Sequence, residues 1–403
     1  MQQPYDIVSS YSVYRNMRDS KFLKRYYRSK AVELIKGNEL YGSSPPDIFV
    51  GRYGYPNVYI GPLVPPRVGD TSFMGMPEKW VGKTIPEIVE MRSMLIRGMH
   101  LTRINNVDNG RIEEMVKEIA LAEKFTEVDV QFSKKPESRI SFDEHSQPFG
   151  PSAKLASMNL GNVRADRDLE SAYLDTDLGA SNAIIELYEK GLVVSKIQKA
   201  LAAGLLGKGG RRKFVPTRWS ITATDDTLSK HKLESIKSYP EIDAVRVFEN
   251  LALDNRWLII MVPGSWEYES IEAWYPNTTW NLDSTTIDMG ASYEPYTGRK
   301  TYAEIGGCYY AARLAVSELL EKLKRQAKVL ILREVHSGYI MPVGVWNVRE
   351  HVRQALKREP MVMESLQGVL NYVSKKMDIP VNAWIKNSTL LKHLLYQKSL
   401  MSH

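Results

Sequence analysis

Residues 244–276 read AVRVFENLALDNRWLIIMVPGSWEYESIEAWYP, and this stretch decides the fold class. Its short runs are rich in β-branched and aromatic residues, which are typical of β-strands. Asp254-Asn255 separates the first two runs and predicts a tight hairpin turn, so we expect a β-meander here. Further along the chain, AKVLILREV (327–335) predicts a buried strand because its apolar run is almost continuous.

Helical patterns lie on both sides of these strands. TIPEIVEMRSMLIRG (84–98) has Thr84 as a helix N-cap and Pro86 in the first turn, and YAEIGGCYYAARLAVSELLEKLKRQ (302–326) predicts a long amphipathic helix. Residues 133–165 show little periodicity, which predicts a long ordered loop. Strand clusters separated by helical runs indicate an α+β fold with mixed, largely antiparallel β-sheets, packed helices and a mostly helical C-terminal part.

The length of 403 residues suggests two domains, and the polar stretch 276–300 is the best boundary. We therefore predict an N-terminal domain over residues 1–285, with a basic helix, a strand cluster, the long loop and the β-meander. A C-terminal domain follows over 286–396 with a helix, a buried strand and further helices, and residues 397–403 form a short tail.

The composition limits the setting in which the protein works. Cys308 is the single cysteine, so neither a disulfide within the chain nor a cysteine-based zinc site is expected. The first residues are not typical of a signal peptide, and no apolar run is long enough to span a membrane. We expect a cytoplasmic protein without membrane contact.

The charge pattern favours an anionic partner. The net charge is +7 and the isoelectric point is about 9.1. Lysine and arginine are in excess over residues 1–36 and 349–403, while the middle of the chain is mildly acidic. Basic ends suggest contact with a polyanion such as DNA, although a solvated surface on a thermally robust protein would give the same pattern.

Residues 207–226 read GKGGRRKFVPTRWSITATDD and combine glycines, cations and a carboxylate pair. A nucleotide-binding P-loop is excluded because Ala202 replaces its first glycine and Gly209 replaces its Ser/Thr. The cations of this stretch, together with Arg52 and with Arg333 near the end of the strand 327–335, are candidate anion ligands. Those of the stretch are Arg211, Arg212, Lys213 and Arg218. For Arg333, a structural pair with Glu334 is the alternative.

Two groups of acidic residues could take part in catalysis. Asp143, Glu144 and His145 share one loop, in which the histidine could act as a general base. Asp225 and Asp226 follow a predicted strand, where carboxylates can bind a metal, although capping of the next helix is the commoner role. No second histidine has zinc-ligand spacing, so a divalent metal is expected only if these groups form an enzyme.

Several long blocks of the sequence resemble the archaeal Nre family of DNA-repair proteins, over about Phe49 to Arg349. The blocks are IFVGRYGYPNVYIGPLVPP, GMPEKW, MRSMLIRG, SFDEHSQPFGPSA, RRKFVPTRWSITATDD and GGCYYAARLAVSELL followed by RQAKVLILREV. The resemblance implies an N-terminal and a C-terminal domain, a role in repair of DNA damage, and a C-terminal motif that binds the sliding clamp PCNA. The cysteine-rich zinc finger of some members has no counterpart here.

The tail QKSLMSH matches the clamp-binding motif in part. Gln397 and Leu400 have the required spacing, but the two aromatic residues that should follow the leucine are missing. The leading hypothesis is a DNA-repair protein that binds nucleic acid through basic surfaces and associates with PCNA. The alternatives are a metal-assisted enzyme acting on nucleic-acid phosphoesters or nucleotides, and a non-catalytic repair adaptor.

Overall fold

The computed structural model describes residues 6–9, 30–35, 37–137, 140, 146–278, 280–281 and 285–396. The candidate residues Asp143, Glu144, His145, Gln397 and Leu400 lie outside the described residues, as does most of the basic N-terminal segment. The chain divides into two compact units. The first unit contains residues 21–228 and 342–346, and the second contains 1–20, 229–341 and 347–403. The domain boundary at residue 285 stays a prediction.

The described residues form thirteen strands and eleven α-helices. The strands are β1 Asp6–Ser9, β2 Glu39–Ser44, β3 Ile48–Val50, β4 Asn57–Val64, β5 Ile96–Arg103, β6 Thr126–Phe132, β7 Ser152–Leu160, β8 Val245–Ala252, β9 Asn255–Val262, β10 Glu267–Trp274, β11 Thr286–Glu294, β12 Lys328–Val335 and β13 Met361–Met363. The helices are α1 Ile85–Ser93, α2 Arg111–Leu121, α3 Arg167–Leu174, α4 Ala180–Glu189, α5 Val194–Ala202, α6 Thr217–Ile236, α7 Gly307–Leu323, α8 Trp346–Leu356, α9 Leu366–Lys376, α10 Val381–Asn387 and α11 Thr389–Tyr396.

The first unit is built on a six-stranded sheet with the order β2-β6-β7-β5-β4-β3. β4 and β5 approach each other very closely, because a Cβ on Gly61 would lie 1.9 Å from the carbonyl oxygen of Gly98. The N-terminus of α1 has the expected cap, with Thr84 and Glu87 forming a reciprocal capping box. The prediction of a continuous loop over 133–165 is wrong, since β7 lies within it and pairs with β6 and β5.

The second unit is built on a seven-stranded sheet with the order β1-β11-β10-β12-β9-β8-β13. β8 and β9 form the predicted hairpin, although the turn is made by Leu253 and Asp254, which both have positive φ. The β-meander itself is wrong, because β12 lies between β9 and β10. Arg333 on β12 bridges the two neighbouring strands, since its guanidinium donates to Asn255 of β9 and to Glu272 of β10.

The core of the second unit lies on both faces of this sheet. Trp384 and Leu390 of the C-terminal helices pack against Ile271 and Leu332 on one face. Tyr268 points to the other face, because strand residues alternate, and its hydroxyl donates to the carbonyl oxygen of Tyr309 in α7. Together the described strands make eight antiparallel and three parallel pairings. The predicted α+β fold is therefore confirmed.

The stretch SITATDD belongs to helix α6, so the predictions of a strand and of a cap at Asp225-Asp226 are wrong. The hydroxyl groups of Ser220 and Thr224 find their hydrogen-bond partners within this helix. Each hydroxyl donates to a carbonyl oxygen of the preceding turn, Thr217 for Ser220 and Ser220 for Thr224. These polar side chains are thereby satisfied inside a buried helix face.

Among the helices of the described part, none has the length and apolar character that crossing a membrane requires.

Candidate nucleic-acid interface

Three separate segments of the first unit meet around the start of α6. The backbone N–H of Val50 donates to the hydroxyl oxygen of Thr217 at 2.9 Å. Ile104 connects the other two segments, because its N–H donates to the carbonyl oxygen of Pro56 and its own carbonyl accepts the N–H of Phe214. The turn 51–57, the end of β5 and the residues before α6 therefore lie side by side.

The loop between α5 and α6 is held in place by its backbone. Gly204 has φ +74°, and a Cβ there would lie 2.7 Å from the side chain of Val107. The N–H of Val215 donates to the carbonyl oxygen of Ala202, which returns the loop to the end of α5. Pro216 then accepts the N–H groups of the first residues of α6 at its carbonyl oxygen.

Exposed aromatic rings and cations share this part of the surface. Tyr53 is 67% exposed, and Tyr55 and Trp219 are each 45% exposed. The ring centroids of Tyr55 and Trp219 are 5.1 Å apart, and the guanidinium of Arg52 lies 5.0 Å from the ring centroid of Tyr53. We call this the Tyr55–Trp219 surface, and it comprises Arg52, Tyr53, Tyr55, Arg103, Lys213, Arg218 and Trp219.

Exposed rings beside cations suit a single nucleic-acid strand. Bases that are not stacked in a duplex can stack on aromatic side chains, while nearby cations contact the phosphates. Arg103 and Lys213 are exposed and Arg218 is partly exposed, so the segments that carry Tyr55 and Trp219 also present positive charge to solvent. The arrangement can therefore supply both parts of such a contact.

The structure separates the predicted basic residues of the α5–α6 loop into two roles. Arg211 and Lys213 are exposed. Arg212 folds back onto its own loop: its Nε donates to the carbonyl oxygen of Gly207 at 2.7 Å, and its guanidinium lies 4.7 Å from the ring centroid of Tyr173. Arg212 thus holds the loop, and Arg211 and Lys213 are presented by it.

Arg333 lies in the core of the second unit and is 2% exposed. Its Nη1 donates to Glu272 at 2.6 Å and its Nε to Asn255 at 2.8 Å. Burial lowers the pKa of Arg333, but the neighbouring carboxylate of Glu272 raises it, and the net direction is upward. This arginine remains charged and stabilises the sheet, and it is not part of the Tyr55–Trp219 surface.

The carboxylate pair predicted at a strand end lies in the middle of α6. Asp225 is fully buried and accepts a hydrogen bond from Gln198 at 3.2 Å, while Asp226 is partly exposed. Within the described ranges, the three His and carboxylate side chains that converge at metal-ligand spacing are instead Glu334, His336 and Asp378. Arg256 lies 2.6 Å from Asp378, so a cation already compensates charge in that cluster.

The sequence reasoning missed the aromatic residues of the surface. Two of these residues could have been noticed in the sequence, because Arg52-Tyr53 and Arg218-Trp219 each place an arginine beside an aromatic residue. The pattern becomes informative only when the rings are known to be exposed, since most aromatic residues in a chain of this size are buried.

Comparison with known proteins agrees with the block resemblance. The family model described as Archaeal Nre, N-terminal, matches residues 19–281, and the model described as Archaeal Nre, C-terminal, matches residues 294–403. The chain belongs to the archaeal Nre family.

Three Nre relatives cover most of the chain. DNA repair protein NreB of Archaeoglobus fulgidus is 43% identical over 355 residues, which are 88% of this chain and 89% of the relative. DNA repair protein NreA of Haloferax volcanii is 34% identical, with 90% and 89% covered. DNA repair protein NreA of Archaeoglobus fulgidus is 34% identical, with 88% and 89% covered. No solved structure matches the chain.

Proposed function

We propose that this Nre chain acts in DNA repair and binds single-stranded nucleic acid through the Tyr55–Trp219 surface. Its relatives are named DNA repair proteins, and these names support a role in DNA repair. The observation that carries the binding proposal is the exposed pair of rings, Tyr55 and Trp219, in two segments that also contain Arg52 and Arg218. A cytoplasmic location is part of this proposal.

The exposed rings favour a single strand over a duplex. In a duplex the faces of the bases are covered by their neighbours, so stacking on Trp219 would first require unstacking. A single strand offers those faces directly, and stacking is worth about 1–3 kcal/mol per base. A duplex should gain only from contacts between its phosphates and the cations of the surface.

A binding titration tests this proposal. Fluorescence anisotropy of a labelled oligothymidine should show that Trp219→Ala weakens binding by about 5- to 150-fold, the loss of one stacked base at about 1.4 kcal/mol per tenfold change. Trp219→Phe keeps a ring and should retain most of the affinity. Tyr41→Ala is the matched control, because Tyr41 is a 53% exposed tyrosine of the same unit that lies near Glu127 and Asp129.

Two results would contradict the proposal. Equal losses for Trp219→Ala and Tyr41→Ala would show that the Tyr55–Trp219 surface has no special part in binding. Unchanged affinity in Trp219→Ala, with binding otherwise intact, would place the contact elsewhere on the chain.

The association with PCNA is a second element of the proposal. It is supported by the spacing of Gln397 and Leu400 in the tail, which lies outside the described residues. Because the two aromatic residues are missing, the contact should be weak. Surface plasmon resonance with immobilised PCNA should detect binding that Gln397→Ala with Leu400→Ala removes. Binding that survives this double substitution would mean that the tail is not the contact.

A further inference from the structure

Arg97 differs from the other buried arginines of the described residues. Five arginines are buried there: Arg92, Arg97, Arg313, Arg333 and Arg349. Four of them form an ion pair with a carboxylate: Arg92 with Asp47, Arg313 with Glu294, Arg333 with Glu272 and Arg349 with Glu350. Arg97 is 8% exposed and has no carboxylate partner in the described ranges. A buried charge without a counter-ion is costly, so this arginine calls for an explanation.

The surroundings of Arg97 leave part of its hydrogen-bonding capacity unused. Its Nη2 donates to the carbonyl oxygen of Tyr59 at 2.8 Å. The ring centroids of Phe49 and Phe149 lie 4.4 and 5.8 Å from the guanidinium carbon. The Nε of Arg97 is buried and has no partner among the described atoms. The two rings contact each other and lie on the same side of the guanidinium, so N–H donors remain available at its edge.

The missing side chain of Gly51 leaves a space beside this guanidinium, which we call the recess. A Cβ on Gly51 would lie 3.3 Å from the Nη2 of Arg97, so any larger residue would crowd the guanidinium. Arg52 comes next in the chain, and its Nε is likewise buried without a partner among the described atoms. Its guanidinium contacts the ring of Tyr53, which belongs to the Tyr55–Trp219 surface. Two arginines thus flank one glycine at the edge of that surface.

We propose that Arg97 and Arg52 bind the terminal phosphate of a nucleic-acid strand whose bases lie on the Tyr55–Trp219 surface. This inference rests on the proposed function. Guanidinium forks match phosphate oxygens in geometry, and two positive charges balance the dianion of a phosphomonoester. Arg97 is more than nine-tenths buried, so its guanidinium would meet the end of a strand more readily than a continuous backbone.

Burial lowers the pKa of Arg97 to about 9, which still leaves its guanidinium charged at neutral pH. The positive charge that the phosphate requires is therefore present under physiological conditions.

The experiment compares three oligothymidines of equal length, with a 5′-phosphate, with a 3′-phosphate and with neither. The unmodified protein should bind one of the two phosphorylated strands about 10- to 100-fold more tightly than the unphosphorylated strand. This is the gain in affinity expected from one or two hydrogen bonds to a charged group. Arg97→Met should remove this gain and change the affinity for the unphosphorylated strand less than twofold. Arg103→Met is the control and should weaken binding of all three strands equally.

Gly51→Ala is a second variant that keeps both arginines. Its Cβ should crowd the recess and reduce the gain at least several-fold, which tests the geometry even if Arg97→Met folds poorly. Folding of each variant is checked by near-ultraviolet circular dichroism.

The outcomes separate this inference from the proposed function. Equal affinity of the unmodified protein for the three strands would refute the terminal-phosphate site and leave strand binding intact. A gain that persists in Arg97→Met would also refute it. If no strand binds at all, the proposed function fails first. Thermal stabilisation by thymidine monophosphate that depends on Arg97, without any gain for strand ends, would assign the recess to a free nucleotide and overturn the proposal.

Discussion

Two buried arginines of the first unit, Arg92 and Arg97, should respond differently to replacement by methionine: the first change should lower the stability and the second should not. Arg92 lies in the first unit with its Nη1 2.7 Å from Asp47 and with hydrogen bonds to the carbonyl oxygens of Met74 and Pro148. Arg92→Met leaves these acceptors buried, but Lys199 still pairs with Asp47 at 3.4 Å, so the cost should lie near the lower end of the range of about 3–5 kcal/mol that is typical for breaking a buried ion pair. Arg97 has no such carboxylate among the described residues, so its replacement leaves none of their charges uncompensated.

The magnitude for Arg97→Met follows from its surroundings. Burial lowers the pKa of Arg97 from 12.5 to about 9, which corresponds to an unfavourable free energy on the order of 4–5 kcal/mol for keeping the charge. Against this stand about 1–2 kcal/mol for the contacts with the aromatic rings and about 1 kcal/mol for the hydrogen bond to Tyr59. Methionine also packs well against Phe49 and Phe149. We expect between no change and a gain of about 3 kcal/mol.

Unfolding by guanidinium chloride at pH 7, in a phosphate-free buffer, measures the stability of both variants. Both arginines belong to the first unit, so their effects appear in the same part of the molecule. Arg92→Met should lower the midpoint clearly, and Arg97→Met should leave it unchanged or raise it. A loss for Arg97→Met similar to that for Arg92→Met would refute the reasoning, because the charge of Arg97 would then be compensated within the fold.

Two further predictions concern stability. Burial against Trp257 lowers the pKa of His351 to about 4, so below pH 6.5 the unfolded chain takes up a proton that the folded protein does not. The free energy of unfolding should therefore fall by about 3 kcal/mol between pH 6.5 and 4. Unfolding titrations at both pH values should show that His351→Gln removes this fall, and an unchanged pH dependence would contradict the prediction. Gly61→Ala should destabilise the protein by about 3 kcal/mol or more, because its Cβ would clash with the backbone of β5. Gly210→Ala is the control, since its Cβ would meet nothing within 4 Å and should change the melting temperature little. Similar melting temperatures for the two variants would contradict the close approach of β4 and β5.

The strong periodic patterns of the sequence predicted the elements of the fold well. The helix that begins after Thr84 and the buried strand β12 are each determined by residues close together in the sequence, and the structure contains both. β7 was missed because its residues alternate poorly, with only Ala153 and Met158 buried, and its place is decided by pairing with β6 and β5. Local pattern does not contain that information.

The position of β12 shows the same limit at the level of topology. The order of the strands 245–274 looked like a meander because neighbours in sequence often pair. The structure places β12 between β9 and β10, where Arg333 can bond to Asn255 and Glu272. Contacts between residues this far apart in sequence cannot be read from hydrophobic periodicity.

The candidate site could be predicted only in part. Arg52, Lys213 and Arg218 were identified as cations, but nothing in their spacing shows that the turn 51–57 packs beside the start of α6. The hydrogen bond from Val50 to Thr217 joins segments 167 residues apart. The role of Arg212 was also hidden, because only the folded loop brings the carbonyl oxygen of Gly207 to its side chain.

The salt dependence of strand binding tests the central claim most directly. One variant replaces the cations of the Tyr55–Trp219 surface by glutamine, at Arg52, Arg103, Lys213 and Arg218. A control variant removes the same charge from exposed lysines elsewhere in the first unit, at Lys79, Lys124, Lys134 and Lys154. Each phosphate contact contributes about 0.7 to the slope of log affinity against log salt for a single strand.

Anisotropy titrations of an unphosphorylated oligothymidine between about 50 and 300 mM salt give these slopes. The slope of the surface variant should be shallower by up to about 3, and the control should keep the slope of the unmodified protein. Equal slopes for the surface variant and the control would contradict the assignment of the nucleic-acid interface to the Tyr55–Trp219 surface.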